Sequence, residues 1–301
     1  MFIREGFLVA KVISISNQKG GVGKTTTCIN LSAFVALMGY KVLVVDIDPQ
    51  GNTTSGFGIV GESKDNLKRT IYDVMMGDAT VKETVTKTTV PNLEVLPANI
   101  EFAGADVELM SLEESREKVL RRALEPVRDD YDYIFIDCPP SLNVFSVNAL
   151  TASDSVLIPM PGDFFSLEGI AQLMNTVKLV KKHLNHALEI EGVVMTMYVK
   201  NNLSNQVAED VIRWFGKSVF KTRIPRNVTL GEAPSFGLPV VQYNPTSKGS
   251  LAYMDLAVEM LKRDGKKAKP LTGLSSYKYK QPSASAAGKK GGEKPAGKNA
   301  K

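Results

Sequence analysis

The chain is poor in cysteine: Cys28 and Cys138 are the only two in 301 residues, and neither sits in a metal-ligand spacing. That argues against a disulfide-stapled secreted scaffold and against an iron–sulfur protein, and both thiols read as small buried side chains in a reducing, cytoplasmic compartment. Long apolar runs are also missing. No stretch approaches the roughly 18 apolar residues of a spanning helix, and Met1 to Ala10 holds too short an apolar run for a secretory signal, so neither insertion nor export is expected. Acidic residues are nearly absent from one end. From Gly265 onward ten lysines face the single acid Glu293, so this stretch carries +9 and the remainder −4 of the overall +5. The basic pI of about 9.0 belongs to the tail. The body is mildly acidic, and any nucleic-acid surface on it must be a local patch. Without apolar periodicity, and rich in Lys, Gly, Ser and Pro, residues 265–301 are expected to be a disordered tail behind a folded domain spanning 1–264.

What remains is 43% hydrophobic, enough for a sizeable core. Strand and helix patterns alternate along it, which predicts an α/β fold: a mostly parallel twisted sheet with helices on both faces. The helices expected are Thr26 to Met38, a short one at Ile71 to Met76, a charged one at Leu112 to Arg128, then Leu167 to Leu184, Asn205 to Phe215 and Leu251 to Lys262. The strands expected are a first one through Val12, Ile13 and Ile15, then Lys41 to Asp46, Leu93 to Leu96, one from Tyr133 to Ile136, Ser155 to Ile158, Glu191 to Met197 and Val219 to Ile224. No internal repeat is visible.

Between the first strand and the first helix lies Gln18-Lys19-Gly20-Gly21-Val22-Gly23-Lys24-Thr25-Thr26. Three glycines let the backbone approach an anion closely, with several N–H groups and the positive end of the helix dipole facing it. In such a loop Lys24 reaches the β and γ phosphates, and the Thr25 hydroxyl ligates Mg²⁺. The strict G-x-x-x-x-G-K-[ST] pattern is not met, because Gln18 holds its first position. A second lysine, Lys19, stands five residues before Lys24, too far back to share its phosphates and placed to serve a neighbouring subunit's nucleotide. Beyond the carboxyl ends of two apolar strands come Asp46-Ile47-Asp48-Pro49-Gln50-Gly51-Asn52 and Asp137-Cys138-Pro139-Pro140, where ligands of an open α/β sheet sit. Asp137 has the place of the acid that holds the Mg²⁺ shell, and Asp48 is the candidate for orienting the attacking water, with Thr25, Asp48 and Asp137 as the metal set. Asp46 is expected to support the loop from within the fold.

Taken with Asn17-Gln18 before it, the glycine loop resembles the deviant Walker A loop of the ParA/MinD class of P-loop ATPases, and most closely its ParA (Soj-type) branch. The resemblance runs from about Val9 to Lys262 and rests also on Ile224-Pro225-Arg226-Asn227, Asn202-Leu203-Ser204 and Glu232-Ala233-Pro234-Ser235. It implies a three-layer α/β/α P-loop NTPase that hydrolyses ATP with Mg²⁺, contacting the nucleotide through Lys19, Gly20, Gly21, Val22, Gly23, Lys24, Thr25 and Thr26, with Pro225 and Asn227 against the base. Two ATP-bound copies would pack face to face, with Lys19 of each on the other's phosphates and Gly20 where a Cβ would hold them apart; Lys19, Lys24 and Asp48 would be the catalytic set.

Such a homodimer would bind double-stranded DNA without sequence preference, here through Lys200, Lys217, Lys221, Arg223 and Arg226, with Lys200 standing where many relatives carry arginine. A ParB-type centromere-binding partner would stimulate hydrolysis, making the protein cytoplasmic and nucleoid-associated. The alternatives are a MinD-like membrane ATPase, which needs a C-terminal amphipathic helix that residues 265–301 do not spell, and a relative that positions a protein cargo. No stable membrane association is expected. A repressor form with an N-terminal helix-turn-helix is not expected either, since about ten residues precede the first strand.

Overall fold

The computed structural model describes residues 3–4, 7–59, 67–111, 115–163 and 166–272. Two short strands, β1 (Ile3–Arg4) and β2 (Phe7–Leu8), pair antiparallel. The main sheet takes β3 (Lys11–Ile15), β4 (Val42–Asp46), β5 (Thr86–Lys87), β6 (Leu93–Leu96), β7 (Tyr133–Asp137), β8 (Ser155–Pro161), β9 (Glu189–Tyr198) and β10 (Val219–Pro225) in the order β10-β9-β8-β3-β7-β4-β6-β5. All neighbours run parallel except β5 and β6. The expected mostly parallel sheet is therefore what forms.

Its helices are α1 (Lys24–Leu37), α2 (Asn52–Gly56), α3 (Ile71–Met76), α4 (Val81–Thr84), α5 (Ala105–Ser111), α6 (Val119–Leu124), α7 (Val144–Ala152), α8 (Ser166–His183), α9 (Asn202–Phe215), α10 (Val228–Glu232), α11 (Val240–Tyr243) and α12 (Lys248–Arg263). They cover both faces. Val42 and Val44 pack with Phe34 of α1 and Leu256 of α12 on one side, while the intervening Leu43 and Val45 pack with Phe145 of α7 and Leu120 of α6 on the other. A strand buried on both faces has no polar side to alternate with, which is why it reads as an unbroken apolar run.

The single helix expected over Leu112 to Arg128 does not form. Residues 112–114 lie outside the described set; beyond them a 3-10 turn (Arg116–Lys118) leads into α6, and a second (Glu125–Asp130) follows. Pro126 has no N–H to give and its ring would clash with the preceding turn, so α6 stops at Leu124. Residues 266–272, which the sequence places in the tail, run back under the sheet. The Tyr40 hydroxyl donates to the Lys267 carbonyl at 2.8 Å, Thr272 N–H donates to the Leu37 carbonyl at 2.9 Å, and Lys266 Nζ lies 4.2 Å from the Tyr133 ring centre. The rest of the expected tail, 273–301, lies outside the described residues.

Candidate functional site

The glycine loop is tied at its head to the neighbouring strand. Ser16 N–H donates to the Leu157 carbonyl at 3.1 Å, Asn17 Nδ2 to the Pro159 carbonyl at 2.8 Å, and Lys19 N–H to Asn17 Oδ1 at 3.1 Å. Gly21 and Gly23 have φ of 72° and 91°, the left-handed region in which a side chain is strained. Gly23 caps α1 without a side-chain hydrogen bond, and the first turn of that helix holds no acid, so its amides face the loop as anion donors. Lys24 opens the helix. It is 7% exposed, and its Nζ donates to the Lys19 carbonyl at 3.1 Å. Burial lowers its pKa against the opposing pull of Asp137 and Asp48, as expected of a cation shaped for a ligand's charge.

β4 and β7 carry Asp46 and Asp137 side by side in register, both fully buried. Asp46 Oδ2 accepts from Thr54 N–H at 2.8 Å and from Thr54 Oγ1 at 2.7 Å, and its Oδ1 accepts from Asp48 N–H at 3.2 Å. It thereby holds the turn that carries Asp48, itself 8% exposed, with Oδ1 accepting Gln50 N–H at 3.0 Å. Asp137 Oδ2 accepts from Thr25 Oγ1 at 2.8 Å and Thr53 Oγ1 at 2.7 Å, while its buried Oδ1 has no partner. An orphaned carboxylate oxygen beside a helix-start hydroxyl fits the outer shell of a Mg²⁺ ion. Among the described residues no three His, Cys, Asp or Glu gather into a metal cage. Thr53 and Thr54 were not anticipated, although their place just after Asp48-Pro49-Gln50-Gly51-Asn52 was a usable signal.

Burial, and the charge of the facing carboxylate, raise Asp46 well above the ordinary carboxylate range; burial and nearby Asp48 raise Asp137 against its threonine hydrogen bonds. A raised folded-state pKa means the native protein binds more protons than the unfolded chain from about pH 4 to near neutrality, so stability is lost as pH rises through that window. The melting temperature of nucleotide-free wild type should therefore fall relative to Asp137→Asn between about pH 5 and about pH 8. Parallel melting profiles would contradict the assignment.

Lys19 makes a different contact from its neighbour. Its Nζ lies 2.8 and 3.1 Å from the two oxygens of Asp163, a residue that also accepts from Ser166 Oγ at 2.9 Å. The sequence reading missed Asp163. Gly20, next in the chain, faces open space: a Cβ built there meets nothing within 4 Å. Pro225 and Asn227 line a cavity of about 240 Å³ that opens on Gly23 and Thr26 and also takes in Thr196, Met197 and Tyr253. Asn227 Oδ1 caps α10, accepting from Thr229 N–H at 3.1 Å. A larger hollow of about 650 Å³ beside Thr88 to Glu94 touches none of the loop residues.

All five basic candidates are exposed, but they do not make one cluster. Arg223 stacks its guanidinium 4.5 Å from the Tyr198 ring centre and donates to the Tyr198 hydroxyl, Arg226 N–H donates to the Tyr198 carbonyl at 3.4 Å, and Lys200 follows two residues after Tyr198. These three gather at the carboxyl end of the sheet's edge. Lys221 lies midway along β10, where Glu259 of α12 accepts its N–H at 2.9 Å. Lys217 sits in the 3-10 turn Gly216–Ser218, at the opposite end of the seven-residue strand from Arg226.

A glycine loop between a central parallel strand and a helix, with a buried acid on the neighbouring strand bonded to the loop's threonine, defines the P-loop ATPase class. A family profile described as an AAA domain matches residues 10–190. The sporulation initiation inhibitor protein Soj of Bacillus subtilis is 54% identical over 253 residues, covering 84% of this chain and 98% of that protein. The chromosome partitioning protein ParA of Caulobacter vibrioides NA1000 is 49% identical over 257 residues, covering 84% and 95%. In structure, the Pyrococcus horikoshii septum site-determining protein MinD complexed with Mg-ADP superposes with a TM-score of 0.70 at 27% identity, covering 85% of this chain and 98% of that one. The chain belongs to the Soj/ParA family of chromosome-partitioning ATPases. It is an ATPase that uses ATP with Mg²⁺. Among the described residues no helix is long and apolar enough to cross a membrane.

Proposed function

We propose that ATP joins two copies of this chain face to face, that the dimer binds duplex DNA without sequence preference, and that a ParB-type centromere-binding partner triggers hydrolysis and release at the nucleoid. The observation that carries the reading is the head of the glycine loop, where Gly20 opens onto empty space beside a second lysine already engaged by a carboxylate rather than by its own loop. The names of the relatives, chromosome partitioning proteins among them, support the same setting.

In this reading the amides of Gly20 to Thr26 and the Lys24 ammonium bind the phosphates, Thr25 and Asp137 hold Mg²⁺ with Asp48 close by, and Asp48 orients a water in line with the γ phosphate. Held by those residues, the ion would supply positive charge to offset that of the phosphates. Lys19 leaves Asp163 for the partner's nucleotide, so a cation that arrives only on dimerisation stabilises charge that develops only during hydrolysis. Pro225 and Asn227 line the cavity that would receive the base. Lys200, Arg223 and Arg226 contact DNA phosphates at the sheet's edge, and Lys221 and Lys217 extend that contact along β10.

Sedimentation with random-sequence duplex DNA in MgATP, MgADP or no nucleotide, at two salt concentrations, tests the reading. Pelleting only with MgATP, and less of it at high salt, is the expected result. Binding that ignores the nucleotide, or none at all, would overturn it; retention on anionic liposomes instead would favour a MinD-like role.

A further inference from the structure

Thr196, on β9, lies more than 170 residues from the glycine loop in sequence and touches it directly. It is 2% exposed, and its hydroxyl donates to the Val22 carbonyl at 2.8 Å. Its Cγ2 and Cβ also lie 3.8 and 3.9 Å from where a Cβ on Gly23 would stand. The contact bears on one bond. In a trans peptide the C=O and the following N–H point in opposite directions, so fixing the Val22 carbonyl toward β9 turns the Gly23 N–H the other way, into the loop. Gly23, with φ of 91° and no side chain, offers little resistance of its own to a flip of that peptide, so another group has to select the orientation.

The next residue supplies an independent sign. Met197 holds φ of 49°, one of three non-glycine residues in the left-handed region among those described. Such a conformation in a side-chain-bearing residue persists only where its surroundings enforce it. Here it falls where β9 meets the loop, and Thr196 and Met197 both line the cavity that opens on Gly23 and Thr26.

We propose that Thr196 is a positioning residue of the ATPase site, its hydroxyl selecting the Val22–Gly23 peptide orientation that aims the Gly23 N–H at the nucleotide's phosphates. The proposal rests on the reading of Gly20 to Thr26 as the phosphate loop. Because that amide contact is made equally in the ground state and the transition state, losing it weakens binding more than turnover.

The test compares wild type, Thr196→Val and Thr196→Ser by calorimetric titration with MgADP and by steady-state ATP hydrolysis. Valine keeps the branched packing on Gly23 and removes the hydroxyl; serine keeps the hydroxyl and removes the methyl. Thr196→Val is expected to bind MgADP about tenfold more weakly and to raise KM for ATP by about as much, with kcat within about twofold, while Thr196→Ser stays close to wild type. Wild-type affinity in Thr196→Val, a serine variant as weak as the valine one, or a loss confined to kcat would each overturn the proposal. Should the valine variant not fold, Thr196→Ala against Thr196→Ser makes the same comparison. Failure of wild type to bind MgADP would instead overturn the reading of the loop itself.

Discussion

Lys24→Ala is expected to weaken MgATP binding by roughly thirtyfold or more and to abolish hydrolysis, while leaving the nucleotide-free protein at least as stable as wild type. The Lys24 ammonium is buried with the Lys19 carbonyl as its hydrogen-bond partner at 3.1 Å, and burial lowers its pKa. A cation held in that state costs the fold something, and removing it relieves the strain. With nucleotide bound the balance reverses. Deleting one partner of a desolvated, hydrogen-bonded charge pair costs about 2–5 kcal/mol, which corresponds to roughly thirtyfold to several-thousandfold in affinity. Calorimetry with MgADP and a thermal melt of the apo protein read the two effects separately. A variant that melts early and binds weakly would mean that Lys24 acts through the fold.

Gly20→Val is expected to separate binding from assembly. Gly20 lies outside the positive-φ set, and a Cβ there meets nothing within 4 Å, so one protomer accommodates valine without strain. Nucleotide affinity and apo melting temperature should therefore stay close to wild type. If two copies meet across this surface, the added side chains fall between backbones that must come together, and the ATP-dependent dimer should be lost along with DNA binding. Size-exclusion chromatography with light scattering, in a non-hydrolysable ATP analogue and Mg²⁺, decides it. An analogue-dependent dimer of the valine variant would count against the face-to-face arrangement.

The phosphate loop and the two acids were legible because their signals are local. Glycines on either side of Val22, a lysine and a threonine at the start of a helix, and apolar strands ending in Asp46 and Asp137 each declare themselves within a few residues. The helix Val144–Ala152 was not anticipated for the opposite reason: Phe145, Ala149 and Leu150 are buried together with Ser146, Asn148 and Thr151, so no polar face gives it a helical period. Pro126 was visible but was read through rather than as a stop. Thr196 and Asp163 carry no spacing signal at all, since the sheet brings them to the loop from β9 and from just beyond β8, more than a hundred residues later in the chain. The basic residues show that nearness in sequence is not nearness in space, for Lys217 and Arg226 lie nine residues apart yet flank opposite ends of one extended strand.

The chain passes beneath the sheet at Lys266 to Thr272, where Thr272 meets Leu37 at the far end of the helix whose first residue is Lys24. Fourteen helical residues span about 20 Å. A dye carried on a cysteine introduced at exposed Ala268 thus sits at the pole facing away from the nucleotide, which makes this segment the place to attach a label intended to watch the ATPase without crowding its mouth.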